Sequence, residues 1–232
     1  MAYINKIQSD LKVVNKILHF SDIHIRNWKR HKEFTDIFNK LLAEVDKLPE
    51  NSIVTIGGDI VHAKTDMSPE LIKMVSYLLT ECANRKPTIL ICGNHDANLN
   101  NEHRLDALTP IVEAINHPHL FYLRNSGIYK IGDIAISVMS LLDEPTKYRT
   151  ADKIKGKYKH KVAMYHGTLM SSKVDSGLVI NHGLDRDIFD GFDLVLLGDI
   201  HCRQVTNEDW YDEIEVDESQ LQTHLDEGWV QA

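Results

Sequence analysis

Five short polar clusters in this 232-residue chain carry side chains able to hold metal ions: Asp22-Ile23-His24, Gly58-Asp59, Gly93-Asn94-His95-Asp96, His166-Gly167 and Gly198-Asp199-Ile200-His201. Asp, Asn and His supply the oxygen and imidazole donors that suit Mn²⁺, Fe and Zn²⁺, with no thiol required. Two such ions about 3.5–4 Å apart can bind phosphate oxygens, lower the pKa of a water and stabilise the charge that develops in an in-line displacement. A carboxylate such as Asp59 has two oxygens to share between them. Taken one at a time, the clusters read as ordinary strand-end turns and caps, and His166 as a surface or satisfied core histidine. Their ordered recurrence behind apolar strands is what points to chemistry.

The elements that must position these residues are legible in the apolar pattern. Lys16–Phe20, Ile53–Ile56 and Thr88–Cys92 read as strands. Between them, Phe34, Ile37, Phe38, Leu41, Leu42 and Val45, then Leu71, Met74, Val75, Leu78, Leu79 and Cys82, repeat at helical i, i+3, i+4 spacing. Ser68-Pro69 is an N-cap followed by proline at the first helical position. Strands separated by helices predict a parallel sheet with right-handed crossovers. Beyond Asn116, Leu120–Leu123, Tyr129–Ile131 and Ile134–Met139 alternate around Asn125-Ser126-Gly127 and Gly132-Asp133, a pattern that predicts antiparallel strands and turns. Val162–Tyr165 and Leu194–Leu197 read as two further buried strands. In open α/β sheets ligands bind beyond the carboxyl ends of strands, so five clusters distant in sequence can meet in one crevice.

Composition narrows the setting. At 232 residues with 43% hydrophobic content, the chain can bury roughly 70–75% of its unfolded surface and needs neither disulfide nor structural metal to fold. Cys82, Cys92 and Cys202 are odd in number and widely spaced, which argues against a disulfide framework or a zinc ribbon and for a reducing, cytoplasmic setting. No apolar run approaches the roughly 18 residues of a membrane span. The net charge of −8 misleads, because nine Asp or Glu and no Lys or Arg fall in residues 207–232, leaving a body of about +1. We read residues 1–206 as one catalytic domain and 207–232 as an acidic tail. Lys147–Lys161 holds seven Lys or Arg against one Asp, with Tyr148 and Tyr158 interleaved. Lys153, Lys155, Lys157 and Lys159 are therefore candidates to track a phosphate backbone, or else a solvated loop.

The order DIH, GGD, GNHD, strand-end His and G-x-x-H resembles the calcineurin-like metallophosphoesterases from Lys16 to Cys202. Within that superfamily it is most similar to the SbcD-type DNA-repair nucleases, through His62 three residues after Asp59. The resemblance implies an α/β fold, a four-layer α/β/β/α sandwich with two mixed sheets and two divalent metal ions at one end. It implies that Asp22, His24 and His201 hold one ion, that Asn94 and His166 hold the other, and that Asp59 bridges them. His95 would be the catalytic histidine, Asp96 would orient it, and His62 would line the substrate side. The implied activity is hydrolysis of phosphodiester bonds in DNA, as an exonuclease or endonuclease of repair or recombination. The implied partners are an SbcC-type ABC ATPase and, as in much of the family, a second copy in a homodimer.

The sequence departs from that pattern in two places. Where the family carries a histidine before the last one, this chain has Asp199. A third carboxylate beside Asp22 and Asp59 takes two divalent ions from a formal +2 to +1, which favours Mn²⁺ or Mg²⁺ over Zn²⁺. The alternative is that Asp199 turns away from the site. After the last motif only Arg203 to Ala232 remain, where SbcD-type proteins continue with a capping domain and an ATPase-docking segment. Two other functions use the same residues: a phosphomonoesterase or small-nucleotide phosphodiesterase, and a catalytically weak subunit that binds a partner.

Overall fold

The computed structural model describes residues 4–101, 104–170 and 182–199. A short strand β1 (Ile4–Lys6) precedes β2 (Lys16–Phe20), α1 (His31–Lys47), β3 (Ser52–Ile56), α2 (Pro69–Arg85), β4 (Thr88–Leu90), α3 (Leu108–Ile115) and β5 (Leu120–Tyr122). The chain continues as β6 (Gly127–Ile131), β7 (Ile134–Met139), β8 (His160–His166) and β9 (Leu194–Gly198). Strands β2-β3-β4-β5 form one sheet and β1-β6-β7-β8-β9 the other.

Alternation along β3 shows how the layers form. Val54 and Ile56 face the helices and join Phe34, Phe38, Leu42 and Val45 of α1 and Leu71, Val75, Leu78, Leu79 and Cys82 of α2. Ile53 faces the other way, into a core between the sheets with Ile89, Ile136, Val138, Val162, Met164 and Leu196. With a side-chain period of two, β3 is buried on both faces throughout, as a central parallel strand must be. The helix α2 starts where the sequence places it: the Ser68 hydroxyl accepts from the Leu71 N–H at 3.2 Å. On the outer face of the larger sheet, Ala135, Met139, Ala163 and Tyr165 are covered by Ala151, Ile154, Phe189 and Phe192. Among the described residues this fourth layer is built from short 3-10 turns, including Ala151–Lys153 and Arg186–Phe189.

The architecture is the expected two-sheet α/β sandwich, with two differences in strand direction and content. The sheet β2-β3-β4-β5 is parallel throughout, and only β6 and β7 run antiparallel among the described strands. Leu120–Tyr122, expected to be antiparallel, instead pairs parallel with β4. The reason is α3, for which the sequence reading had no element. With a helix between them, β4 and β5 are joined by a crossover, which returns the chain in the same direction. No helix among the described residues is long and apolar enough to cross a membrane.

Candidate metal centre

The polar clusters sit at the carboxyl ends of β2, β3, β4, β8 and β9, and hydrogen bonds join the two sheets there. His166 Nδ1 lies 2.7 Å from the Gly57 carbonyl, His19 Nε2 lies 2.9 Å from the Leu197 carbonyl, and the Asp199 N–H reaches the Asp22 carboxylate at 3.0 and 3.2 Å. Within the first sheet the loops after β2 and β3 continue the ladder: Asp22 N–H donates to Gly58 O, His24 N–H to Asp59 O and His62 N–H to Ile25 O. The backbone pays for this convergence in strain. Asp22, His24, Asp59 and Asp199 all have positive φ, between 51° and 75°, a region that L-residues rarely adopt and that clusters at functional sites.

Asp59 is the centre of the arrangement. It is 1% exposed, and its Oδ1 accepts the His95 N–H at 2.8 Å. His166 Nε2 lies 3.4 Å from Oδ1, and His24 Nε2 lies 3.6 Å from Oδ2. Among the described residues Oδ2 has no hydrogen-bond donor. Spacings of 3.4 and 3.6 Å are long for a charge-assisted hydrogen bond. They are close to the ~3.3 Å that separates two donors on one tetrahedral ion with bonds of about 2.0–2.1 Å. One donor atom each from Asp22, Asp59 and His166 lies within 4.8 Å of the others. A buried carboxylate between two imidazoles, with one oxygen left over, fits a divalent cation.

The neighbours are oriented by the backbone. Because His166 Nδ1 donates to Gly57 O, its Nε2 is turned toward Asp59 and toward Asn94 Oδ1, 3.3 Å away. Burial alone would push the His166 pKa down, but the bond to Asp59 and the charges of Asp59 and Asp22 outweigh it and hold it up at about 9. Burial would also push Asp59 up, yet His166, the His95 N–H and His24 hold it below the ordinary carboxylate range. In the metal-free site a proton therefore occupies the nitrogen that a cation would take.

Asp199 faces inward. One carboxylate oxygen accepts from Thr168 Oγ1 at 3.0 Å and the other from Asn94 Nδ2 at 3.5 Å. His24, His62 and His95 form a second group whose donor atoms lie within 4.8 Å of one another. The His24 and His95 rings meet edge to face at 4.6 Å, and those of His62 and His95 stack at 5.5 Å. His62 is exposed, and its pKa is lowered by its partial burial, Arg26 and His95.

The structure places Asp96 and the basic run apart from where the sequence pattern expects them. Asp96 does not meet the His95 ring: its two oxygens accept the N–H groups of Val61 and Gly93, each at 3.0 Å. Full burial pushes its pKa up to about 7. The His95 ring is oriented instead by the His62 carbonyl, 2.7 Å from Nδ1. Asp96 thus braces the loops that carry the site. The basic run lies elsewhere: Lys159 N–H bonds Asp133 at the start of β7, and Lys161 Nζ reaches Ala151 O. His160 and His166 bound β8, a length of about 20 Å at 3.3 Å per residue, so Lys157 and Lys159 flank the end of the sheet remote from the candidate ligands. Lys153 pairs with Asp152 at 2.7 Å and Lys155 bonds its carbonyl at 2.8 Å, on the outer face. His201, Cys202 and the tail 207–232 lie outside the described residues. Sequence alone does not single out His19, whose half-buried ring, its pKa lowered by desolvation, ties β2 to β9, nor Thr168. A histidine inside an apolar strand was the signal available for the first.

A model of the calcineurin-like phosphoesterases matches residues 15–203, most of the chain. The chain belongs to that family. This calcineurin-like phosphoesterase is also 40% identical over 216 residues to the uncharacterised protein R555 of Acanthamoeba polyphaga mimivirus, covering 88% of this chain but 16% of that protein. The chain thus spans a small part of that relative's length. Among solved structures it is similar to the nuclease MPE of Pseudomonas putida, at 16% identity and a TM-score of 0.35, covering 71% of this chain and 67% of that one. The family binds divalent metals and hydrolyses phosphoester bonds, and the Asp22, Asp59 and His166 group is a fitting place for an ion.

Proposed function

We propose that this calcineurin-like phosphoesterase is a metal-dependent phosphodiesterase that acts on DNA, in which Asp59 would be shared between two ions. By the family pattern Asp22, His24 and His201 would hold one ion and Asn94, His166 and Asp199 the other, with Asp22, Asp59 and His166 near enough to one another to lie between the two. The observation that supports this reading is the position of Asp59, with one oxygen toward His166 and the other toward His24. When bound, the two cations would polarise the phosphate and lower the pKa of the attacking water.

The protein's own groups do the rest. The Gly57 carbonyl fixes the His166 tautomer so that Nε2 is presented for binding. The Asn94 amide oxygen and Asp199 carboxylate offer neutral and charged oxygen donors beside it. His95, anchored through Nδ1, can pass a proton from Nε2 to the leaving alkoxide. His62 stands beside it on the open side, where the rest of a phosphodiester chain would lie. Hard oxygen donors with a third carboxylate favour Mn²⁺ or Mg²⁺.

The test is Mn²⁺-dependent cleavage of end-labelled single- and double-stranded DNA and of a bis-aryl phosphodiester, beside Asp59→Asn. We expect DNA and the small diester to be cut, and the variant to lose about 10³-fold in kcat. Cleavage of the small diester alone would remove DNA from the assignment, and no hydrolysis by the metal-loaded chain would remove the enzyme.

A further inference from the structure

With Lys157 and Lys159 at the far end of the sheet, the site needs another surface to hold a nucleic-acid chain. The loop that leaves β2 through Asp22 and His24 reaches α1 through Arg26, Asn27, Trp28, Lys29, Arg30 and His31. Trp28 is 68% exposed, the most exposed of the large apolar side chains among the described residues. An indole in water forgoes the burial of roughly 150–250 Å² that aromatic side chains ordinarily find. It lies four positions after His24, which limits their Cα separation to about 14 Å.

The loop around Trp28 is held on both sides. The Asn27 amide donates to Asp66 at 2.7 Å and accepts the Ser68 N–H at 2.7 Å, while its carbonyl accepts the Ser68 hydroxyl at 3.3 Å. His31 Nε2 returns to the Arg26 carbonyl at 2.8 Å, and Arg30 turns into α1 with φ 62°. Asp66 and Ser68 belong to the segment whose Lys64 reaches the Asn94 carbonyl at 3.0 Å, so the loop is braced against the site itself. Arg30 is neutralised by Glu33, but Arg26, Lys29 and Lys32 have no carboxylate within 4 Å among the described residues. A ring presented between anchored residues and flanked by unneutralised cations matches a strand with a negative backbone and exposed π faces. Base-paired ends bury those faces in the stack; an unpaired base offers them.

We propose that Trp28 is a stacking platform for an unpaired base of a single-stranded DNA segment whose phosphodiester lies at the metal centre, with Arg26, Lys29 and Lys32 along its backbone. The subsite rests on the phosphodiesterase reading and adds the element that selects single-stranded substrate. Because the loop is pre-anchored, little ordering cost opposes the stack.

The test compares a labelled thymidine oligonucleotide with the same strand made abasic, equal in phosphates but lacking bases, by fluorescence anisotropy in Ca²⁺ with the strands verified uncut. The wild-type chain should bind the base-bearing strand about tenfold more tightly than the abasic one. Trp28→Ala should bind both with the affinity of the wild type for the abasic strand, and Trp28→Phe should keep most of the discrimination. Equal wild-type affinity for the two strands, or an equal loss on both in Trp28→Ala, overturns the proposal. Hydrolysis of the bis-aryl phosphodiester is scored separately. Base discrimination without any hydrolysis would support the stacking subsite while counting against the enzyme.

Discussion

Gly93 shows how tightly the residues of the centre are packed. A Cβ placed there would lie 2.1 Å from Asp59 Oδ1 and 2.2 Å from its backbone N. Two loops from neighbouring strands touch backbone to side chain, and Asp59 is itself at φ 53°. Gly93→Ala must therefore move Asp59 or its loop. We expect a stability loss of about 1–3 kcal/mol from overpacking and a larger loss of Mn²⁺ affinity, measured by urea unfolding and by calorimetric titration. Unchanged metal affinity would show that Asp59 is not a shared ligand. The donor residues were legible because Asp, His and Asn followed apolar strands, a type-and-position signal. Contacts such as Asp96 to the Val61 and Gly93 amides were not, because neighbours in sequence, here His95 and Asp96, turn to opposite sides of a tight loop. A motif names residue types, and only the backbone path says which of them meet.

At the scale of elements, α1 and α2 carried strong i, i+3, i+4 stripes and emerged where that pattern placed them. The helix α3 was hidden although Leu108, Ile111, Val112 and Ile115 have the same spacing, since it is short and holds Pro110. Proline is tolerated there because the first helical N–H groups have no intrahelical partner to lose. Asp106 opens the helix by accepting the Leu108 and Thr109 N–H groups at 3.0 and 2.7 Å, and it pairs with Arg124 at 2.9 Å. Its side chain is fully buried, and Arg124 is 37% exposed. Burial would raise the Asp106 pKa, but Arg124 and the Thr109 bonds outweigh it and hold the carboxyl below its ordinary value. A depressed folded-state pKa contributes stability above the unfolded value of about 3.9 and loses it as pH falls through the folded value. Asp106→Asn should therefore cost about 2 kcal/mol at pH 7, below the roughly 3–5 kcal/mol of a fully buried pair because Arg124 is partly in water. The gap between wild type and variant should stay level down to about pH 5 and narrow below about pH 4. Urea denaturation across that range measures it, and a gap that widens in acid would sink the assignment.

For the molecule as a whole, the candidate metal centre is a seam between two sheets. Asp22, His24, Asp59 and Asn94 follow strands of one sheet, while His166 ends β8 and Asp199 follows β9 of the other. Strand-end clusters predicted a meeting place, yet periodicity could not say that the loops would cross between sheets or that the run Lys147–Lys161 would lie over an outer face. Face and end are decided by long-range pairing, as in β7 with β8, which local pattern does not encode. An ion held on this seam binds the folded chain and finds no preformed site in the unfolded one, so its binding free energy adds to folding. At a free concentration about 100 times its Kd, Mn²⁺ should add about 2.7 kcal/mol. For a chain of this size a shift of about 2–4 °C per kcal/mol turns that into a rise in Tm of about 5–10 °C. Asp59→Asn, which keeps the shape but removes the charge at the middle of the candidate centre, should lose most of the rise. Because His166 Nε2 must shed a proton held up to about pH 9, the rise should be smaller at pH 6.5 than at pH 8.5 for the same total Mn²⁺. Thermal melts of wild type and variant at the two pH values make the comparison. An equal rise in both proteins would place the bound ion somewhere other than the seam.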